Sequence, residues 1–584
     1  MAKTPADVLI ETLIAWDVTT VFGLPGDGIN GIMEALRTRQ DRIRFVQVRH
    51  EETAALMACG YAKFTGHLGV CLATSGPGGI HLLNGLYDAK MDGAPVLAIT
   101  GLQYHDLVHT FTQQDVELDK LFADVCVYNG RVMSPTHMEN VAELACRTAL
   151  ARRGVAHLTV ASDTQSEPLS EDYRSPRNVA NHISNVASVG APMPPESELV
   201  RAADILNSGS KTCILAGRGA IGAGKELEEI AELLGAPVAK ALLGKGALSD
   251  RSPYTTGGVG LLGTTPSQEA LEGCDTLLIV GSKFPYVEFY PKPGQARAVQ
   301  IDTDAQAIGL RYPVECGLIG DTKATLRGLI GRLEPRSDRS YLKKAQDGVK
   351  DWREILAKHG TYPGTPMKPD VVTYELNKLL PRDAIVTTDS GTNTSLCAQH
   401  IEITDDMMFS VSGTLATMAC GLPYAMAAAF AFPNRPVVAV VGDGGFSMLM
   451  AELATCVKYG LNVKVVVIKN NMLGQIKWEQ MAFLGNPEFG CELQPIDFAA
   501  VAAACGGKGF TVTEPNECAR TLKNALAMPG LAVIEAVVDP NDPPLLPKIQ
   551  FEHAKHMAEA LVRGTPAGAE IARKLLRNSI SELT

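Results

Sequence analysis

The sequence has no excess of positive charge: 53 Lys and Arg stand against 64 Asp and Glu, for a net charge of −11. Phosphate backbones are held by clustered Lys and Arg, so a nucleic-acid partner is excluded. Paired cysteines are missing as well. The 13 Cys are scattered, with no CxxC and no zinc spacing, which excludes a disulfide framework and a metal cluster and fits reduced thiols in the cytoplasm. No secretory leader is expected, because Met1 to Asp17 carries acidic residues inside an amphipathic helical pattern. One segment, Phe409 to Asn434, is uncharged over the width of a bilayer. It is broken by Gly413, Gly421, Pro423 and Pro433, which suit a turn and a buried helix better. What remains, 584 residues with 46% hydrophobic and 20% charged content, reads as a soluble globular chain of about three domains.

The chain is organised around Val437 to Leu473. Val437 to Val441 is a short β-branched run stopped by Gly442, as in a buried parallel strand. Gly442-Asp443-Gly444-Gly445 lets the backbone turn beneath a ligand and open a helix, whose free N–H groups suit a diphosphate. Asp443 is placed to hold a cation. A second strand, Val463 to Ile468, leads through Lys469 to Asn470-Asn471 at the same carboxyl edge, where α/β sheets bind ligands. One carboxylate, one amide oxygen, diphosphate oxygens and waters meet the octahedral oxygen demand of Mg²⁺.

This arrangement resembles the diphosphate motif of thiamine diphosphate enzymes of the pyruvate oxidase, pyruvate dehydrogenase (quinone) and acetolactate synthase family. GDGGFSMLM is most similar to the pyruvate oxidases. The resemblance implies Asp443, Asn470 and the Met472 carbonyl as metal ligands, with Gly444 and Gly445 at the diphosphate. Lys469 stands where the family usually has the first Asn of a pair, so Asn471 is the alternative to Asn470. Ala416, Thr417 and Met418 match the segment beneath the thiazolium ring, and Gly474, Gln475, Ile476 and Glu479 match pocket-lining residues. Gln475 departs from the large aromatic of close relatives.

The resemblance extends over three doubly wound parallel-sheet α/β domains: pyrimidine-binding, 1–170; central FAD-binding type, 190–335; and diphosphate-binding, 362–545. A helical tail, 546–584, follows, and the shift to Ser, Pro, Asn and charge between Glu167 and Glu198 reads as a linker. In the first domain, strand Arg44 to Val48 runs into Arg49-His50-Glu51-Glu52 at a helix start, and Glu51 matches the family's activating glutamate. TSGPGGIH and NGLYDA resemble pyruvate oxidases and acetolactate synthases, which implies His81 and Gln114 in the substrate pocket, with Gln113 a competitor. In the central domain Val259, Gly260, Leu261, Leu262, Ser282, Lys283, Phe284, Pro285, Tyr286, Asp302 and Asp321 match FAD contacts.

The family resemblance implies thiamine diphosphate, Mg²⁺ and FAD acting on pyruvate or a similar 2-oxo acid by oxidative decarboxylation. Acetolactate-synthase-like carboligation with structural FAD is the alternative. It implies a homotetramer, a dimer of dimers in which Glu51 of one copy meets the cofactor held by Asp443 of another. In the tail, Thr565-Pro566 reads as an N-cap followed by a first-turn Pro. Ile571, Leu575 and Ile580 form an apolar stripe with Glu570, Arg573, Lys574 and Arg577 opposite, a candidate for peripheral contact with the inner face of a membrane.

Overall fold

The computed structural model describes residues 3–170, 172–179, 192–404, 406–548 and 551–583. Residues 171 and 180–191 of the expected linker lie outside them. The rest holds three six-stranded sheets, every pair within them parallel and flanked by helices.

In chain order the first sheet runs Arg44–Gln47, Thr20–Gly23, Gly69–Ala73, Val96–Leu102, Val155–Ala161, Cys126–Arg131 across its width. The second runs Cys316–Ile319, Arg297–Asp302, Thr276–Val280, Thr212–Ala216, Val238–Lys240, Thr255–Gly258. The third runs Met408–Ser410, Ile385–Thr388, Val437–Gly442, Val463–Lys469, Ala532–Val537, Lys508–Val512. Central strands such as Val463–Lys469 are buried along their whole length, which is why they read as continuous β-branched runs without alternation.

The first and third sheets share one apolar core. Helices Glu51–Thr65 and Gly421–Ala431 face each other so closely that a Cβ on Gly60 would meet the Tyr424 ring at 3.0 Å. The second of these helices is the uncharged segment of the sequence, here buried between domains. No helix among the described residues is long and apolar enough to cross a membrane. Lys63 closes the contact: its buried ammonium donates to Asp92 at 2.6 Å, to the Tyr424 hydroxyl at 2.6 Å and to the Val411 carbonyl at 3.0 Å.

The tail corrects part of the sequence reading. Thr565 does not cap the last helix, which begins at Gly568. Its hydroxyl donates instead to the Ala560 carbonyl at 2.8 Å, a buried bond at the end of helix Phe551–Val562, while Ala567 turns the chain at φ +55°. Ile571 is fully buried against Trp478, Met481 and Ala560, with Leu575 beside it; the Ile580 side chain lies outside the described residues. Lys574 is likewise not on a solvent face. It pairs with Asp539 and Glu570.

Candidate active site

Strand register builds the diphosphate edge. Gly442 pairs with Ile468, so Asp443 and Asn470 emerge together where the two strands end. Asp443 opens the helix Asp443–Leu449 and is 5% exposed. Burial pushes its carboxyl up to about 6, against the pull of the Asn471 and Gly444 amides, which donate to it at 2.6 and 3.1 Å. A divalent cation at this oxygen would offset that burial. The Asn470 amide oxygen accepts from Met472 N–H at 3.0 Å, which fixes its orientation, and both Asn470 and Met472 line the cavity. Asn471 is not among the lining residues; it sits at φ +53° and spends its N–H on Asp443.

The glycines of the turn are demanded by their neighbours. A Cβ on Gly445 would lie 2.2 Å from Asp389 Oδ2, and one on Gly444 3.0 Å from Leu473. Asp389 itself is 1% exposed, with Oδ1 receiving the Ser390 amide at 2.8 Å and Oδ2 left without a partner. Burial raises its carboxyl to about 7.

A single cavity of about 1810 Å³ runs from this edge into the central domain. That exceeds the ~300–1,000 Å³ of a cleft for one small ligand, so there is room for two. Its diphosphate end is lined by Asp443, Gly444, Gly445, Asn470, Met472, Ala416 and Met418, and by Gly474, Gln475, Ile476 and Glu479 of the helix Gly474–Ala482. Gln475 donates to Glu479 at 2.9 Å. The other end is lined by Val259 to Leu262, Ser282 to Tyr286, Asp302 and Asp321. Gly260 there takes φ +90°, and burial raises the Asp302 carboxyl. Four expected site residues do not line it. Thr417 is turned aside, receiving the Asn84 amide at 2.8 Å and donating to the Met418 carbonyl.

The other three gather on the first domain. Glu51, 6% exposed, shares a hydrogen bond of 2.9 Å with His81 Nδ1, and His81 stacks on His50 with ring centroids 4.5 Å apart. Gln114, at φ +60°, receives the Ser75 hydroxyl at 2.6 Å. Glu51, His81 and Gln114 are therefore separated, within one chain, from the cavity that holds Asp443.

The structure adds residues that sequence reasoning missed. Arg153 and Arg218 both line the cavity, Arg218 donating across the domain boundary to the Asp92 carbonyl. Burial, with Arg218 nearby, lowers the Arg153 guanidinium. An anion between them would relieve both. Glu452, 1% exposed, accepts from the Arg49 and His50 amides at 2.8 and 3.1 Å and so holds the backbone that presents Glu51. The Gly217-Arg218-Gly219 turn was the one available signal for the first pair; Glu452 lies about 400 positions from its partners and gave none.

Three family models match the chain in order. They are the thiamine pyrophosphate enzyme N-terminal TPP binding domain over 3–121, the central domain over 199–329 and the C-terminal TPP binding domain over 389–536. The chain belongs to the thiamine pyrophosphate enzyme family. Among its relatives are YdaP of Bacillus subtilis (strain 168), named as thiamine pyrophosphate-containing, at 39% identity over all of this chain and 99% of that protein. Pyruvate oxidase of Lactiplantibacillus plantarum is 33% identical, covering 94% of this chain and 91% of the relative. Acetolactate synthase 2, chloroplastic, of Nicotiana tabacum is 30% identical, covering 93% and 83%. The chain is thus an enzyme of the thiamine pyrophosphate-dependent family.

Proposed function

We propose that this enzyme oxidatively decarboxylates pyruvate or a similar 2-oxo acid and passes the electrons to FAD. The observation that carries the reading is the continuous cavity joining Asp443 and Asn470 to Asp302 and Asp321. When bound, thiamine diphosphate supplies a carbon nucleophile that takes up the electrons left as carbon dioxide departs, and FAD supplies their acceptor. Asp443, Asn470 and the Met472 carbonyl hold Mg²⁺ against the diphosphate, while Gly444 and Gly445 let the backbone approach it. Met418 would offer the bound cofactor an apolar contact. Val259 to Leu262, Ser282 to Tyr286, Asp302 and Asp321 hold the flavin nucleotide, with Arg153 and Arg218 opposing its phosphates.

Glu51 holds a proton at the pyrimidine N1′ of a second copy's cofactor, and His81 and Gln114 orient the 2-oxo acid from the same side. Glu479 faces it from the other. Because Glu51, His81 and Gln114 lie off the chain's own cavity, activity requires a homodimer, and the dimer pairs into a tetramer. The protein works in the cytoplasm. Peripheral membrane contact through the tail requires Ile571 and Leu575 to leave their seat on Trp478 and Met481.

Anaerobic addition of pyruvate while following flavin absorbance tests the reading. Rapid bleaching is expected. Acetolactate formation without bleaching would replace it with the second reading, carboligation with structural FAD, which gains support from Gln475: a polar amide bonded to Glu479 replaces the aromatic wall of the oxidases.

A further inference from the structure

The helix Thr392–His400 runs from the diphosphate end of the cavity to a contact with the central domain. Its nine residues rise about 13 Å. The first turn, Thr392 to Thr394, lines the diphosphate end and is pinned there by Asn393, whose amide donates to the Asp389 carbonyl at 2.7 Å and the Thr388 hydroxyl at 3.0 Å. The last turn presents Gln399. Its Nε2 donates to the Gly263 carbonyl at 3.0 Å and to the Leu545 carbonyl at 3.0 Å. A primary amide has two protons, and both are used.

Gly263 closes the loop that supplies Val259 to Leu262 to the flavin end. Within that loop Gly263 N–H donates to the Gly260 carbonyl at 2.9 Å and Thr264 N–H to the Gly258 carbonyl at 3.0 Å, so its own hydrogen bonds define its shape. They do not fix its position relative to the third domain. Lys245 ties the central domain to the same helix through the Ala398 carbonyl at 2.9 Å, and Gln399 ties the loop itself; the segment it also grips is sewn to the same region, where Thr265 donates to the Pro547 carbonyl at 2.7 Å and Lys548 pairs with Glu272 at 2.8 Å.

We propose that Gln399 is a positioning residue: its side chain clasps the flavin loop of the central domain to the helix rising from the diphosphate edge, and thereby holds that loop at its spacing from the diphosphate end. The inference rests on the flavin reading of residues 259–262.

Gln399→Met keeps the length of the side chain and removes both donors; Gln399→Lys restores a long donor. Hydrogen exchange of the cofactor-free protein, followed by peptides covering 257–264 and 440–446, reads the clasp without any flavin. Two lost hydrogen bonds predict exchange about tenfold faster in 257–264 for the Met variant, no change in 440–446, and recovery in the Lys variant. Flavin affinity, from the recovery of free-flavin fluorescence, falls by about the same factor in the Met variant while thiamine diphosphate affinity holds. Loop exchange within twofold of the parent, or equal acceleration in both peptides, overturns the proposal. If the parent protein takes up no FAD, the flavin reading falls, and exchange in 257–264 alone decides whether Gln399 clasps the loop.

Discussion

Asp389 makes the cofactor-free protein less stable as pH rises, and Asp389→Asn should remove that dependence. The carboxyl lies at the end of strand Ile385–Thr388, beneath Gly445, with one oxygen that no donor reaches. Burial moves it from 3.8 to about 7. A folded-state value above the unfolded one means that its stabilising contribution is complete below about pH 4, is lost as pH rises toward 7, and changes no further above that. A shift of about 3 units at 1.36 kcal/mol each gives about 4 kcal/mol across the window. For a unit the size of the third domain, 1 kcal/mol moves the melting temperature by about 2–4 °C, so the effect is on the order of 10 °C. The Asn amide also lacks an acceptor at the orphan position, at a cost of about 1–3 kcal/mol that does not vary with pH. It therefore drops out of the comparison. Differential scanning calorimetry of both proteins without cofactor, from pH 4.5 to 8.5, should show the variant gaining on its parent by about 10 °C between the ends of the range. A gap that stays within about 2 °C at every pH would mean that the Asp389 carboxyl titrates normally and that the site tolerates its charge.

Glu51→Gln should leave cofactor affinity nearly intact and slow exchange of the cofactor's C2 proton by orders of magnitude, read by NMR after acid quench; undiminished exchange would remove Glu51 from the mechanism. Asp443→Ala should abolish Mg²⁺-dependent retention of thiamine diphosphate in equilibrium dialysis. Asn470→Ala should weaken retention more than Asn471→Ala, since Asn470 lines the cavity and Asn471 does not; the reverse order would reassign the ligand. Ile571→Ala, at a fully buried position, should cost about 2–4 kcal/mol and loosen the helix Gly474–Ala482, seen as a lower melting temperature. In liposome flotation with pyruvate present, full-length protein and a chain ending at Gly564 should behave alike, because the tail's apolar side is already occupied.

The elements legible in the sequence were those whose signal is local. Val437–Gly442 and Val463–Lys469 each run only one residue past their expected bounds, because a buried parallel strand is a β-branched run cut short by glycine or a polar turn. Edge strands were harder. Lys508–Val512 is exposed along most of its length and carries no apolar run to read. The tail shows how a local signal can be outbid: Thr565-Pro566 has the chemistry of a helix start, yet both the hydroxyl and the N–H of Thr565 go back to the Ala560 carbonyl of the preceding helix.

The candidate site divides along the same line. Asp443, Asn470 and Gly444 were legible because one turn and one register bring them together across 27 positions, from 443 to 470. Glu51 and His81 could be named but not located: nothing in either segment says that they pair with each other at 2.9 Å, outside the lining of the chain's own cavity. Glu452, Arg218 and Gln399 each reach into another domain, by hydrogen bonds to backbone carbonyls and amides that any residue could supply. A backbone partner leaves no mark on the sequence at its own end. In this fold the residues that do the chemistry are therefore written in motifs, whereas those that set the distance between motifs become visible only when three domains are seen at once. Such positions should tolerate exchange for another long donor, as tested for Gln399, where Asp443 should tolerate none.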